Sequence, residues 1–342
     1  MMRKTLKAIC LVCLLFLTVI CNGQQYQYLV LKGGGIRGIA YTGAIKVLED
    51  KGVLQHITKV AGTSVGAITG TFICMGYSAA QIEDIMFKQN IAAFNDGEGY
   101  FIGGQLRLRK KYGWYKGKRM QQWLGNIIAQ QTGNPDLTFM QLHELCKQDK
   151  KYKDLYVTAT NVTQQKLIVF SWETYPDVAI KDAVRASASI PFYFTAMFLD
   201  NTGKLTNKPP KGTNCDILID GGLLANYPIE IFNTPLDSAN HSINAHTLGL
   251  KLDRPDQITY AAAHDGLAPF YIHSLPTYIA ALYNLTLNQL NRGVSSEAEK
   301  KNTIYISTSN LSPRVRHITK EQKQLLFNNG LDGAHSFFQK NN

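Results

Sequence analysis

The sequence predicts an α/β fold of three layers, α/β/α, around a mainly parallel central sheet. Two successive strand, glycine turn and helix patterns carry that expectation, with further short apolar runs spaced along the rest of the chain. The first pattern begins at Tyr28-Leu29-Val30-Leu31, an apolar run stopped by three glycines, as a central parallel strand would be. Ile36, Ala40, Ala44, Val47 and Leu48 then recur at spacings of three and four as far as Gly52, which suits a helix with a glycine just past its end. The second pattern runs from Ile57 to Ala61, turns at Ser64, and resumes helical spacing at Val65, Ile68 and Phe72. Two such units in succession argue for right-handed βαβ crossovers and a parallel sheet.

Downstream, Ser78 to Gln81 has the pattern of a capping box for a helix carrying Ile82, Ile85 and Met86. Leu155 to Thr160 and Leu167 to Ser171 are rich in Val, Ile, Thr and aromatic residues and read as strands either side of a polar turn at 161–166. Asn201 to Asn214 reads as a loop. Further strands are expected at 217–219, 247–252 and 303–307, and Thr319 to Gln322 should cap a closing helix that includes Leu325, Leu326 and Phe337. There are no internal repeats and no low-complexity tract.

Hydrophobic residues make up 45% of the 342 and charged residues 18%, the latter below the usual ~25%, so a large core can form and wholesale disorder is excluded. Residues 1–23 read as an export signal: Arg3, Lys4 and Lys7 precede the apolar run Ala8 to Ile20, which is too short to span a bilayer, and Gly23 supplies a small residue for cleavage. Cys21 raises lipid modification as an alternative, but Ile20 stands where such sites want a small residue. The expectation is therefore a signal over 1–23 and a single domain over 24–342, exported to the outside or to a periplasm. Within it, the motif-bearing core covers 26–230 and a helical and strand extension covers 255–342. Cys74, Cys146 and Cys215 remain, an odd number whose spacing matches neither a zinc site nor a disulfide framework. The formal charge is +11, or +8 once the three basic residues of the signal are removed. For an exported protein this favours anionic lipid surfaces over nucleic acid.

Three features carry chemistry. In Gly62-Thr63-Ser64-Val65-Gly66 the glycines permit a sharp strand-to-helix turn that leaves a hydroxyl exposed above the sheet, and the helix start beyond it favours developing negative charge. Gly33 to Gly38 offers amides that can meet an oxygen without side-chain obstruction. Asp220 ends the apolar run Ile217-Leu218-Ile219, where a strand would deliver a carboxylate to a cleft, although an Asp before two glycines is also a common turn. Together these are the parts of acyl transfer: a nucleophile, an anion cradle and a base. The same glycines also satisfy a dinucleotide fingerprint, with Glu49 or Asp50 as a nominal ribose ligand. Arg37 and the second motif at Ser64 favour the acyl reading.

Four stretches resemble the patatin-like phospholipases, bacterial relatives of the plant lipid acyl hydrolases. They are Gly-Gly-Gly-Ile-Arg-Gly at 33–38, Gly-Thr-Ser-Val-Gly at 62–66, Asp-Ala-Val-Arg-Ala-Ser-Ala-Ser-Ile-Pro at 182–191 and Asp-Gly-Gly-Leu-Leu-Ala-Asn-Tyr-Pro at 220–228. Weaker echoes occur at Gly113 to Trp123 and Leu137 to Leu142, and beyond about residue 255 the likeness fades. The resemblance implies a three-layer patatin-like hydrolase with a Ser-Asp dyad: Ser64 as nucleophile, Asp220 as base, and the amides around Gly34, Gly35 and Ile36, with Arg37 as the basic member, as oxyanion cradle. Arg185, Ser187 and Ser189 would line or brace the site. The family often has Asp before the glycines, and here Lys32 stands in its place.

The activity implied is hydrolysis of acyl-ester lipids, of phospholipase A or lysophospholipase type, through an acyl-enzyme at Ser64. It calls for no cofactor and no metal, and the chain has no acidic loop with calcium-ligand spacing. A Ser-His-Asp esterase stays open, with His246 and His264 as the histidines in reserve, as do a dinucleotide-binding oxidoreductase and an inactive membrane-binding module. Residues 107–119 interleave seven basic residues with Tyr112, Trp114 and Tyr115 and contain no acid, which suits a lipid headgroup zone or a solvated loop. Phe270 to Leu290 reads as a packed helix or a lid, and Pro276 excludes a spanning segment.

Overall fold

The computed structural model describes residues 26–209, 214–264, 266–274, 277–278, 281–282, 284–286 and 296–340. The expected signal at 1–23, with Cys21, and much of the 270–290 stretch, Pro276 included, lie outside the described residues. Eleven strands are described: β1 (Tyr28–Leu31), β2 (Lys59–Gly62), β3 (Gly113–Tyr115), β4 (Asp154–Asn161), β5 (Lys166–Phe170), β6 (Phe192–Phe194), β7 (Met197–Leu199), β8 (Leu205–Thr206), β9 (Asp216–Asp220), β10 (Thr247–Asp253) and β11 (Thr303–Ser307). Nine of them form one sheet in the order β11-β10-β1-β2-β4-β9-β7-β8, with β5 also paired to β4, while β3 and β6 form a small parallel pair of their own. The block from β11 to β4 is parallel throughout, and the strands beyond it are antiparallel.

The strand alternation divides the core. Leu29, Leu31, Val60, Leu155 and Val157 face the larger cluster, against the helices Tyr41–Asp50, Val65–Cys74, Lys118–Thr132 and Lys320–Lys340. Their neighbours Val30, Ala61 and Tyr156 point the other way, to a smaller cluster with Ile229 and Ile243. One covering layer is thus deep and helical and the other thin, built around residues 226–243.

Local signals account for most elements. Ser78 and Gln81 form a reciprocal capping box, and Thr319 and Gln322 exchange the same pair of bonds at the start of the closing helix. In that helix Leu326 and Phe337 are buried, but Leu325 faces solvent, because it lies off the stripe that packs on Tyr41–Asp50. Two expectations are corrected. The 201–214 loop contains the short strand β8, which pairs with β7. The basic stretch at 107–119 is no solvated loop: it comprises the end of the helix Tyr100–Lys111, strand β3 and the first turn of Lys118–Thr132.

The register of β4 brings two distant residues together. Val157 pairs with Gly62 of β2 and with Phe170 of β5, so β2 and β5 flank opposite edges of β4. Ala159 pairs with Ile168 of β5 and with Asp220 of β9, so β9 shares the edge used by β2. Strand β2 runs parallel to β4 and β9 runs against it, and their carboxyl ends therefore meet head to head beside residues 157–159. Ser64 follows one end and Asp220 is the other.

Candidate active site

Ser64 sits between β2 and the helix Val65–Cys74 with φ 53° and ψ −119°, a backbone conformation that L side chains avoid. The turn can close because Gly62 and Gly66 lack side chains. A Cβ on Gly66 would collide with the Leu31 carbonyl, and one on Gly62 with the Gly66 backbone. The Ser64 amide donates to Ser187 Oγ at 2.8 Å, so the motif at 182–191 braces the strained elbow directly.

Asp220 is buried. Its carboxylate accepts from the Gly222 amide at 2.7 Å, and the Ser64 side chain lies close enough to favour its charged form. Burial pushes its pKa from 3.8 up to about 7, against the opposing pull of the Gly222 amide and the Ser64 side chain. The Asp220 amide donates to the Ser189 carbonyl at 3.0 Å, and its carbonyl accepts from Thr160 Oγ1 at 3.0 Å.

Arg185 is fully buried and acts as a bracket. It donates from Nε to the Gly117 carbonyl, from Nη1 to Ser189 Oγ, and from Nη2 to the carbonyls of Lys116 and Thr195. It ties the motif at 182–191 to the start of the Lys118–Thr132 helix without reaching Asp220.

The glycine loop lies over Ser64. Among the described residues no backbone acceptor engages the amides of Gly34 or Gly35, and Gly35 (φ +58°) takes a left-handed turn that its missing side chain permits. Ile36 departs from its expected place in the cradle: its amide donates to the Pro313 carbonyl at 3.3 Å. The Arg37 side chain folds back, Nε donating to the Gly34 carbonyl at 3.0 Å, and so holds the loop rather than presenting a charge to the site. Lys32 pairs with Asp253 at 2.7 Å on the adjacent β10, which neutralises the positive charge introduced at that position.

A cavity of about 60 Å³ opens beside Ser64 and Gly35, and its walls are apolar side chains, among them Ile68, Met86, Phe94, Met120, Trp123 and Phe194. Val315 completes it from a segment beyond the motifs, fixed where the Val315 carbonyl accepts from Asn95 Nδ2 and the Tyr193 hydroxyl. No motif signals Pro313 or Val315. The Val65 amide, at the start of the helix after the nucleophile, is a further potential donor that the sequence pattern contains.

The reserve histidines lie elsewhere. His246 precedes the amino end of β10, whereas Ser64 follows the carboxyl end of the parallel β2, so the two occupy opposite ends of the sheet. His264 is exposed and stacks on Tyr260. Glu49, the nominal ribose ligand, accepts from the Ala79 amide at 2.9 Å, and Asp50 pairs with Lys46. Among the described residues no three His, Cys, Asp or Glu side chains converge as a metal site would need.

A largely parallel sheet flanked by helices, with a strained serine and a buried carboxylate brought together near a glycine loop, is an α/β architecture with one polar cluster at the meeting of β2 and β9. The family model for patatin-like phospholipases matches residues 29–233, and the chain belongs to that family of lipid hydrolases. It is 28% identical over 318 residues to an uncharacterised protein of Acanthamoeba polyphaga mimivirus, covering 90% of this chain and 92% of that one. It is also 28% identical over 209 residues to a probable lipid hydrolase of Invertebrate iridescent virus 6, covering 61% and 63% respectively. Among solved structures it resembles VipD from Legionella pneumophila, with TM-score 0.58 and 18% identity over 93% of this chain and 67% of that one. It also resembles ExoU from Pseudomonas aeruginosa, with TM-score 0.53 and 17% identity, where it spans about half of the longer protein (53%). Both structural likenesses concern the fold.

Proposed function

We propose that residues 24–342 act as a single catalytic domain that hydrolyses acyl esters of membrane lipids through a Ser64–Asp220 dyad. The observation that carries the reading is the placement of the Ser64 side chain beside the buried Asp220, at the edge of an apolar cavity. Ser64 Oγ attacks the ester carbonyl carbon while Asp220 accepts its proton. The carbonyl oxygen becomes an oxyanion and meets the amides of Gly34 and Gly35, with the Val65 amide and the helix start adding favourable charge. Collapse breaks the bond to the glycerol oxygen, which takes the proton back from Asp220 and leaves as the alcohol. Asp220 then deprotonates water, the hydroxide attacks the acyl-enzyme, and Ser64 recovers its proton as the fatty acid departs.

An ordinary carboxylate is too weak a base for this work, and the pKa of about 7 brings Asp220 near the working pH. The apolar cavity suits the acyl chain, and phospholipase A or lysophospholipase substrates fit it best. The pattern at 1–23 supports export, and the net positive charge supports encounter with anionic membranes. The test is fatty-acid release from a phospholipid panel by wild type, Ser64→Ala and Asp220→Asn, together with fluorophosphonate labelling. Both substitutions should abolish release, and near-normal turnover in either would remove the dyad. A histidine triad has less support, since His246 lies at the other end of the sheet from Ser64 and the exposed His264 stacks on Tyr260.

A further inference from the structure

Among the described residues, the helix Tyr100–Lys111 packs chiefly against strand β3. Gly104 packs against the Trp114 indole, the Phe101 ring lies 5.6 Å from that of Trp114, and Arg107 donates to the carbonyls of Trp114 and Glu98. The opposite side carries Ile102 (74% exposed) and Leu106 in the open, with Phe101 (64%) at its margin. Single exposed apolar residues are ordinary. These three adjoin more of the same kind. Strand β3 pairs with β6 so that Gly113 lies opposite Phe192, which is 75% exposed, and Tyr112 precedes it. Phe192 and Tyr112 both adopt left-handed backbone, φ 64° and 62°, an unfavourable state for large side chains. Phe192 also stands between Ile190 and Phe194, which line the cavity beside Ser64.

Charge surrounds this face. From residue 99 to 119 there are seven basic residues and no acid. Arg109, Lys110 and Lys118 are exposed, and among the described residues no carboxylate pairs with them. Burial, and then the neighbouring charges of Lys208, Lys116 and Arg107, lower the Lys111 pKa. An apolar ridge flanked by unpaired cations matches the layered chemistry of a bilayer surface, acyl region inside and anionic headgroups outside.

We propose that the exposed face of Tyr100–Lys111, with Phe192 and Tyr112, docks onto anionic phospholipid bilayers and sets the mouth of the Ser64 cavity against the membrane. The proposal rests on the lipid-hydrolase reading for its purpose, but its test does not require catalysis. The full chain carrying Ser64→Ala is floated with vesicles of phosphatidylcholine alone or with added phosphatidylglycerol. Two further sets are placed on that background: Phe101→Ser with Ile102→Ser and Leu106→Ser, and Arg109→Glu with Lys110→Glu.

Binding should need phosphatidylglycerol and weaken as salt rises. Each set should lower the partition coefficient on the order of tenfold or more. In the active background, turnover of a soluble short-chain ester should stay unchanged, which also reports correct folding. Equal vesicle binding by both sets and the parent would overturn the proposal. So would lipid-free self-association that the serine set abolishes, which would assign the face to a second copy of the chain. Loss of vesicle binding in both sets, with no fatty acid released from any lipid by the active chain, would leave the docking surface standing and remove the hydrolase reading.

Discussion

Replacing Asp220 by Asn should destroy activity and at the same time stabilise the protein in alkali. In the folded state Asp220 holds its proton up to about pH 7, whereas its ordinary value is 3.8. Between those values the folded chain binds the proton and the unfolded chain has released it, so folding stability falls as pH rises through this window. At 1.36 kcal/mol per pH unit, the deficit is roughly 1.5 kcal/mol at pH 5 and levels off at roughly 4 kcal/mol above pH 7. An asparagine keeps the shape and the bond from the Gly222 amide but never ionises. The difference in melting temperature between Asp220→Asn and wild type should therefore grow from pH 4 to pH 8 by several degrees and then stay constant. Ester turnover should drop on the order of 10⁴-fold, and in wild type kcat/KM should rise with pH through about 7. Thermal unfolding and ester assays over pH 4 to 9 measure both. A melting difference that does not change with pH would refute the burial argument, and retained turnover would refute the base.

Ser64→Gly should relieve the left-handed strain and stabilise the fold by about 1–2 kcal/mol while abolishing fluorophosphonate labelling, as chemical denaturation and active-site labelling would report. Gly35→Ala combines a strained φ with a Cβ driven into the Pro313 carbonyl. It should reduce kcat by about 10²-fold or more with little change in KM, and an unaltered kcat would remove Gly35 from the cradle. Met120→Trp should fill the cavity beside Ser64 and suppress hydrolysis of long-chain esters while sparing acetyl esters, a selectivity read from a chain-length series.

The parallel half of the fold was legible because its signals are local. Apolar runs closed by glycine at Leu31 and Gly62, the capping pairs Ser78/Gln81 and Thr319/Gln322, and the spacing of Val65, Ile68 and Phe72 each report on neighbours in sequence. The partners of those elements did not show. Nothing in Ile217-Leu218-Ile219 reveals that β9 runs against β4, and Pro313 and Val315 sit in a loop whose only local mark is a proline. The Ile36 amide shows the same limit: a glycine-rich run advertises free amides, but which of them is engaged depends on a carbonyl as distant in sequence as that of Pro313. Lys32 likewise reads as an excess charge until Asp253 is set beside it across two parallel strands.

The antiparallel direction of β9 also bears on why a carboxylate could serve where histidine usually does. In an open parallel sheet, residues beyond the carboxyl ends of strands face a crevice and stay solvated. Strand β9 instead ends inside the sheet, against the tip of β2, and its terminal carboxylate is enclosed by the Gly222 amide, the 182–191 segment and the serine elbow. Enclosure raises the pKa, and the Gly222 amide and the Ser64 side chain pull it back down, leaving it at about 7. In the proposed dyad this gives the base histidine's working range, from a side chain that ordinarily titrates near 4. The position of one reversed strand thus brings Asp220 to Ser64 and raises its pKa together, the two properties the proposed dyad requires.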